Sequence, residues 1–151
     1  MSASSQDLLS PQQLAEVAGD HLARPEDWIS RVRLTVERRW YERIHLADSH
    51  DVWLISWPPG QATGFHDHGP SAGAFAVAWG FLEELFDGAA SIVGAGAARS
   101  FGPRFVHNVR NVCEVPVVSV HAYSPQLTEM TRYDVTAEGF VARRTESLRE
   151  W

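Results

Sequence analysis

Short apolar segments divided by turn residues fill the chain from Tyr41 onward, and this pattern constrains the fold more than any other feature. Residues 52–57 alternate between two sets of side chains, as in a strand whose side chains point to opposite faces. Similar segments follow at residues 75–79, 81–86, 105–110, 115–123 and 130–135. We expect Gly80 to close a hairpin between the first two of these. Short strands at regular intervals predict a mainly β protein, either a β-sandwich or a small barrel.

The residues before the barrel, 10–40, predict N-terminal α-helices that pack outside it. Ser10 can cap a helix, Pro11 suits the first helical position, and Gln13 completes a capping box. A second helix is expected to begin at Pro25, where acidic residues occupy the first turn. We expect a single domain over residues 1–151, with a disordered arm at 1–9, the helical region at 10–40, the β-barrel at 41–135 and a C-terminal extension at 136–151.

Composition narrows the classes of function. The formal net charge of −6 argues against a nucleic-acid partner. One cysteine, Cys113, excludes an internal disulfide and a cysteine-based zinc site. No apolar run reaches the roughly 18 residues of a membrane helix, and the first residues lack a signal-peptide pattern. These features predict a cytoplasmic protein without a membrane or an obligate protein partner.

His66-Asp67-His68 is the central motif of the chain. Side chains two residues apart in a strand share a face, so both imidazoles can reach one metal ion, whereas Asp67 points the other way. A His-x-His pair also arises by chance, so the motif needs support from its context. Three further histidines, His21, His45 and His50, are expected to be surface or packing residues.

The spacing around this motif resembles the cupin superfamily. The first cupin motif is matched as G-x5-H-x-H-x4-G-x6-G from Gly60 to Gly80, with Gly73 where a glutamate is usual, and the second is matched in part by His107-x3-Asn111. The resemblance implies a cupin-type, jelly-roll-like small β-barrel. It also implies that His66, His68 and His107 hold one metal ion without the usual carboxylate.

A more specific resemblance, over residues 41–125, is to bacterial cysteine dioxygenases, the thiol dioxygenase branch of the cupins. The matching pieces are Tyr41-Glu42-Arg43, Trp57, His66-Asp67-His68, residues 82–87, His107 and residues 119–125. This family implies one Fe(II) per chain on the three histidines, Arg43 on the substrate carboxylate, Tyr41 and Trp57 in the pocket, Tyr123 beside the iron, Ser119 and His121 as a relay behind it, and a cis Ser124–Pro125 bond.

Two of these roles also follow from the residues themselves. Ser119, His121 and Tyr123 alternate, so one strand face carries a hydroxyl, an imidazole and a phenol that can satisfy one another when buried. The planar fork of arginine suits a carboxylate, although Arg38 and Arg39 compete with Arg43 for that role.

The resemblance implies oxidation of L-cysteine by O₂ to cysteine sulfinic acid. One alternative is a 3-mercaptopropionate dioxygenase, a related group that places glutamine at the Arg43 position. A more remote one is a cupin that binds a metal or a thiol without turnover. Animal members carry, at the Gly73 position, a cysteine that forms a thioether to the active-site tyrosine, so we expect Tyr123 to be unmodified here. Glu83 and Glu84 are expected to be hairpin positions and not ligands.

Overall fold

The computed structural model describes residues 7–147. It contains one α-helix, two single 3₁₀ turns and eleven strands within this range. The elements are α1 (Pro11–Leu22), the 3₁₀ turns Pro25–Asp27 and Ile29–Arg31, β1 (Trp40–Leu46), β2 (Asp51–Trp57), β3 (His66–Asp67), β4 (Ala72–Trp79), β5 (Phe81–Phe86), β6 (Ala89–Gly94), β7 (Ala98–Phe101), β8 (Asn108–Arg110), β9 (Val117–Ser124), β10 (Glu129–Thr136) and β11 (Gly139–Ser147).

A five-stranded antiparallel sheet in the order β1-β2-β9-β4-β7 forms the main wall. Its central strands are buried on both faces, because α1 covers the outer face and the barrel interior lies on the other. The alternation of β2 sorts its side chains accordingly: Val52 and Leu54 pack with the helix, whereas Trp53 and Ile55 belong to the interior cluster. The predicted mainly β barrel is therefore confirmed.

Helix α1 begins as predicted. The Gln13 amide donates to Ser10 Oγ at 3.1 Å and the Ser10 amide donates to Gln13 Oε1 at 2.8 Å, which completes the capping box. Leu14 and Ala18 are fully buried against the outer face of the sheet. The alanines of β4 that face this helix leave room for close packing.

The second expected helix is wrong, because the chain forms only two 3₁₀ turns between Pro25 and Arg31. Trp28 between them is buried and anchors the segment by donating from Nε1 to the His21 carbonyl at 2.7 Å. Of the predicted N-terminal arm, residues 1–6 lie outside the described residues. The backbone of Leu9 is bound to the end of β9, because its amide donates a hydrogen bond to Ser124 Oγ at 2.9 Å.

Two three-stranded sheets, β11-β10-β3 and β6-β5-β8, complete the barrel. The expected hairpin between β4 and β5 is wrong: β5 pairs with β6 and β8, because the chain leaves the main sheet at Gly80, whose φ is +77°. The segment after residue 135 is more than an extension, because β11 pairs with β10 from Gly139 to Ser147.

Candidate metal centre and substrate cavity

The barrel brings together the three histidines predicted as metal ligands. His66 lies in β3, His68 follows it, and His107 precedes β8. Reciprocal backbone hydrogen bonds of 2.9 and 3.0 Å join His66 to His107, so the two small sheets meet at the site. One ring nitrogen from each histidine lies within 4.8 Å of the others, and all three residues are buried. Asp67 points away, as predicted, and accepts a hydrogen bond from Tyr133 at 2.5 Å.

The hydrogen bonds around the centre leave ring nitrogens for a metal ion. The Nδ1–H of His66 donates to the Gly64 carbonyl at 2.8 Å, which leaves Nε2 unprotonated. The Nε2 atoms of His66 and His68 lie 3.2 Å apart, and His107 Nε2 is buried without a hydrogen-bond partner in the structure. Burial lowers the pKa of His66 and of His68 well below the ordinary value, so both are neutral. Neutral, converging imidazoles with an unsatisfied buried nitrogen fit a divalent transition metal.

Glu84 is a residue of this site that sequence reasoning assigned to a hairpin. It is only 2% exposed, and its Oε2 accepts from His107 Nδ1 at 2.8 Å. Its Oε1 accepts from Arg99 Nε at 3.0 Å. Burial acts to raise the pKa of Glu84, but the hydrogen bonds and charges of His107 and Arg99 hold it below its ordinary value. The carboxylate therefore orients His107 with Nε2 toward the centre. Its alternation with the buried Leu82 is the signal that could have identified it.

The predicted row on β9 is present and includes a tryptophan. Ser119 Oγ accepts from Trp57 Nε1 at 2.8 Å and lies 2.7 Å from His121 Nε2. Since Ser119 Oγ accepts from Trp57, its proton is available to His121. Burial, with the charges of Arg39 and His107, lowers the pKa of His121 to about 3, so the ring is neutral. Tyr123 stacks beside His121, and its ring centroid lies 5.0 Å from that of His68.

A cavity of about 300 Å³ opens above these groups. It is lined by all three histidines, by His121 and Tyr123, and by the predicted pocket residues Tyr41 and Trp57. Four further aromatic or apolar residues enclose it, namely Trp53, Ile55, Val109 and Met130. Its volume suits a small molecule bound next to the metal centre.

Arg43 does not line this cavity, contrary to the role that the resemblance implies for it. It lies on the same face of β1 as Tyr41, but its guanidinium sits over the Trp53 ring, with Cζ 5.7 Å from the ring centroid. Its Nη1 is 3.8 Å from Asp51 Oδ2. The Trp53 ring, and not the Arg43 guanidinium, faces the cavity. Both competitors, Arg38 and Arg39, do line it.

Arg39 is the cation best placed to receive an anion. Its Cζ lies 5.2 Å from the Trp57 ring centroid, and burial, followed by the nearby charge of Arg132, lowers its pKa. It forms no ion pair within residues 7–147. Arg132 and Arg144 instead share Glu146, at 2.8 and 2.6 Å. A half-buried guanidinium without a carboxylate partner is well placed to receive the carboxylate of a ligand.

A family model for cysteine dioxygenase type I matches residues 4–136. The chain belongs to the cysteine dioxygenase type I family. This membership agrees with the three-histidine centre, and it assigns to the chain an enzyme family that acts on small-molecule thiols. No curated protein matches the chain.

Solved structures show the same fold in more distant proteins. A Thermus thermophilus protein is 20% identical over 65% of this chain and 94% of its own, with a TM-score of 0.59. A Klebsiella pneumoniae protein described as having a double-stranded β-helix domain is 20% identical over 77% of this chain and 93% of its own, also at 0.59. A cupin superfamily protein of Desulfitobacterium hafniense is 9% identical over 65% of this chain and 87% of its own, with a TM-score of 0.57. The predicted cupin fold is confirmed.

Two features can be compared with what the resemblance implied, namely the Ser124–Pro125 peptide bond and the glycine at position 73. The peptide bond is cis, as the resemblance implied. Gly73 pairs with Tyr123, and a Cβ there would lie 2.5 Å from Phe101 Cζ and 3.0 Å from Tyr123 Cδ1. The phenyl ring therefore occupies the space that a side chain at this position would need. Cys113 lies elsewhere, with Sγ 3.3 Å from the Phe81 carbonyl, so an unmodified Tyr123 remains our prediction.

Among residues 7–147, no helix is both long and apolar enough to cross a bilayer.

Proposed function

We infer that the protein is an iron-dependent thiol dioxygenase that converts L-cysteine and O₂ into cysteine sulfinic acid. The observation that carries this inference is one cavity that joins a buried three-histidine centre to the guanidinium of Arg39. A thiol that also bears a carboxylate matches both ends of this cavity, because sulfur is a metal ligand and a carboxylate pairs with arginine.

His66, His68 and His107 would hold one Fe(II) per chain, with Glu84 orienting His107. Three histidines leave about three positions of an octahedral ion for other ligands. When bound, Fe(II) would supply the redox chemistry. In the balanced reaction the thiolate sulfur loses four electrons, O₂ gains four, and both oxygen atoms become bonded to sulfur as the sulfinate.

The cavity side chains would bind and orient the substrate. We assign the carboxylate to Arg39, in place of Arg43, whose guanidinium lies outside the cavity. Tyr41 and Trp57 would hold the carbon skeleton. Burial and the negative charge of Asp51 raise the pKa of Tyr123, so its hydroxyl stays protonated and can donate a hydrogen bond to the reacting atoms.

The hydrogen-bonded row behind the tyrosine would fix the geometry of this donor. Trp57 donates to Ser119, and Ser119 can donate to the neutral His121. His121 packs against Tyr123 and also lines the cavity. The row would therefore act by positioning Tyr123 and the substrate, and not by carrying charge.

A second substrate, 3-mercaptopropionate, is favoured by one specific observation. Glu146 is the one carboxylate that lines the cavity among the described residues, and two arginines already share it. It is poorly available for the ammonium group of cysteine. An amine-free thiol acid would not need such a partner.

The test is turnover by Fe(II)-loaded protein. We expect O₂ consumption and an equal yield of sulfinate with L-cysteine, and a higher kcat/KM for it than for 3-mercaptopropionate. The reverse ratio would transfer the assignment to 3-mercaptopropionate. Zinc-loaded protein is the control, since it should consume no O₂. Absence of O₂ consumption with both thiols would leave only a binding function and overturn the proposal.

A further inference from the structure

Three histidines outside the metal centre form a second cluster at the surface. His21 lies near the end of α1, His45 in β1 and His50 immediately before β2. The ring centroids of His21 and His45 are 5.7 Å apart, and those of His45 and His50 are 5.4 Å apart. The chain thus brings together three imidazoles that the sequence separates, and no step of thiol oxidation uses them.

His21 and His50 each have a polar contact at Nδ1. His21 Nδ1 lies 3.1 Å from the Val17 carbonyl, and His50 Nδ1 lies 2.8 Å from Ser49 Oγ. A histidine that donates from Nδ1 to a protein oxygen presents an unprotonated Nε2, which is the usual arrangement of a metal ligand. The backbone carbonyls of both residues also accept hydrogen bonds, His21 from Trp28 at 2.7 Å and His50 from Ala47 at 2.9 Å.

We propose that His21, His45 and His50 form a second metal site, which binds a borderline divalent cation such as Zn²⁺ and joins the end of α1 to the β1–β2 hairpin. Imidazole is a preferred ligand of zinc, nickel and copper, and three imidazoles leave a position for water.

The geometry of the buried centre provides a scale for this cluster. Its three ring pairs are 4.7, 4.8 and 5.2 Å apart, slightly closer than the two ring pairs that His45 forms with His21 and His50. His45 belongs to both ring pairs and is exposed, so its ring can rotate, while His21 and His50 are half-buried. Burial, then His45 and His21, lowers the pKa of His50, so all three imidazoles lie within electrostatic reach and His50 is a neutral donor at pH 7.

The site would differ from the buried centre in ligand exchange and metal preference. It faces solvent, so a cation can enter and leave without opening the barrel. Fe(II) binds such nitrogen sites more weakly than Zn²⁺ does, so zinc rather than iron should occupy it. Occupation would tie the helix that covers the main sheet to the edge strand β1, and so raise the thermal stability of the whole chain.

The test counts zinc on the full-length chain after chelation and equilibration with Zn²⁺. We expect two zinc ions per wild-type chain, one for each histidine cluster. His45→Gln should retain the zinc ion of the buried centre. Its affinity for the zinc ion of the surface cluster should fall by more than about tenfold. Leu46→Gln, which changes an exposed neighbour on the same strand, is the matched control and should retain two.

The proposal is overturned if the wild type binds one zinc, if His45→Gln still binds two, or if Leu46→Gln loses as much as His45→Gln. A second measurement separates binding from folding: Zn²⁺ should raise the Tm of the wild type more than that of His45→Gln. Thiol-dependent O₂ consumption by iron-loaded His45→Gln should equal that of the wild type. The zinc count needs no turnover, so its outcome is independent of the proposed function.

Discussion

Replacing Arg39 by glutamine tests the assignment of the substrate carboxylate. Glutamine keeps a hydrogen-bond donor but removes the charge of Arg39, the less exposed of the two cavity arginines, Arg38 and Arg39, that form no ion pair within residues 7–147. A hydrogen bond to a charged group contributes about 1.5–3 kcal/mol. Since 1.36 kcal/mol corresponds to a factor of ten, we expect kcat/KM for L-cysteine to fall by about 10- to 150-fold. Most of the loss should appear in KM, because the carboxylate is remote from the reacting sulfur.

Arg43→Gln is the matched control. Its guanidinium is 36% exposed, lies over Trp53 and approaches Asp51 at 3.8 Å, outside the cavity. We expect kcat/KM to change by less than about threefold, in keeping with the small contribution of a partly exposed ion pair. Arg39→Lys separates charge from shape, because lysine retains the charge but not the planar fork. It should recover only part of the lost affinity.

The assay follows O₂ consumption and sulfinate yield on iron-loaded protein, with metal content measured for each variant. If Arg43→Gln raises KM more than Arg39→Gln does, the carboxylate binds at Arg43 and our reading of the cavity is wrong. If neither variant changes KM, a carboxylate–arginine contact does not contribute to binding.

Three further predictions concern the surroundings of the cavity. Glu84→Gln should weaken metal binding by about 10- to 100-fold, measured by calorimetry, whereas Glu83→Gln should leave it unchanged, because only Glu84 contacts His107. Gly73→Ala should lower Tm, since its Cβ would lie 2.5 Å from a phenyl carbon; an unchanged Tm would show that the ring moves freely. Burial raises the pKa of Asp51 from 3.8 to about 6. The contribution of Asp51 to the free energy of unfolding is therefore fully present below pH 3.8, where the carboxyl is protonated, and is lost as the pH rises through 6. Asp51→Asn should therefore gain up to about 3 kcal/mol on wild type between pH 3.5 and 8 in urea unfolding, and a constant difference would contradict this.

Alternation along the strands predicted much of the barrel because it depends on local geometry alone. In β2 and β9 every second side chain faces the interior, as the sequence pattern indicates. Pairing between strands is less local. Gly80 was correctly identified as a turn, but its positive φ directs the chain to another sheet and not back along β4. A turn residue marks where a strand ends and does not specify its next partner.

The difference between patterns within one strand and contacts between strands also explains which residues of the candidate site could be predicted. His66 and His68 could be predicted because the His-x-His spacing and the family resemblance both point to them, and His107 because the resemblance does. Glu84 was missed because a glutamate in a strand usually faces solvent, and its burial depends on Arg99 from another strand. Arg43 was placed on the same face as Tyr41, but a face pattern cannot show that its guanidinium lies over Trp53, which lines the cavity while Arg43 does not.

Asp51 connects the two arginines to the tyrosine. Its carboxylate approaches Arg43, and Arg39 in the cavity forms no ion pair within residues 7–147. Asp51 also pairs with Tyr123 across β2 and β9, and its charge adds to burial in raising the pKa of that phenol. A positive charge next to Tyr123 would favour the phenolate, so Asp51 counters the effect of Arg39 on the same group. One buried acid can thus keep the hydroxyl a hydrogen-bond donor while the cavity remains attractive to an anion.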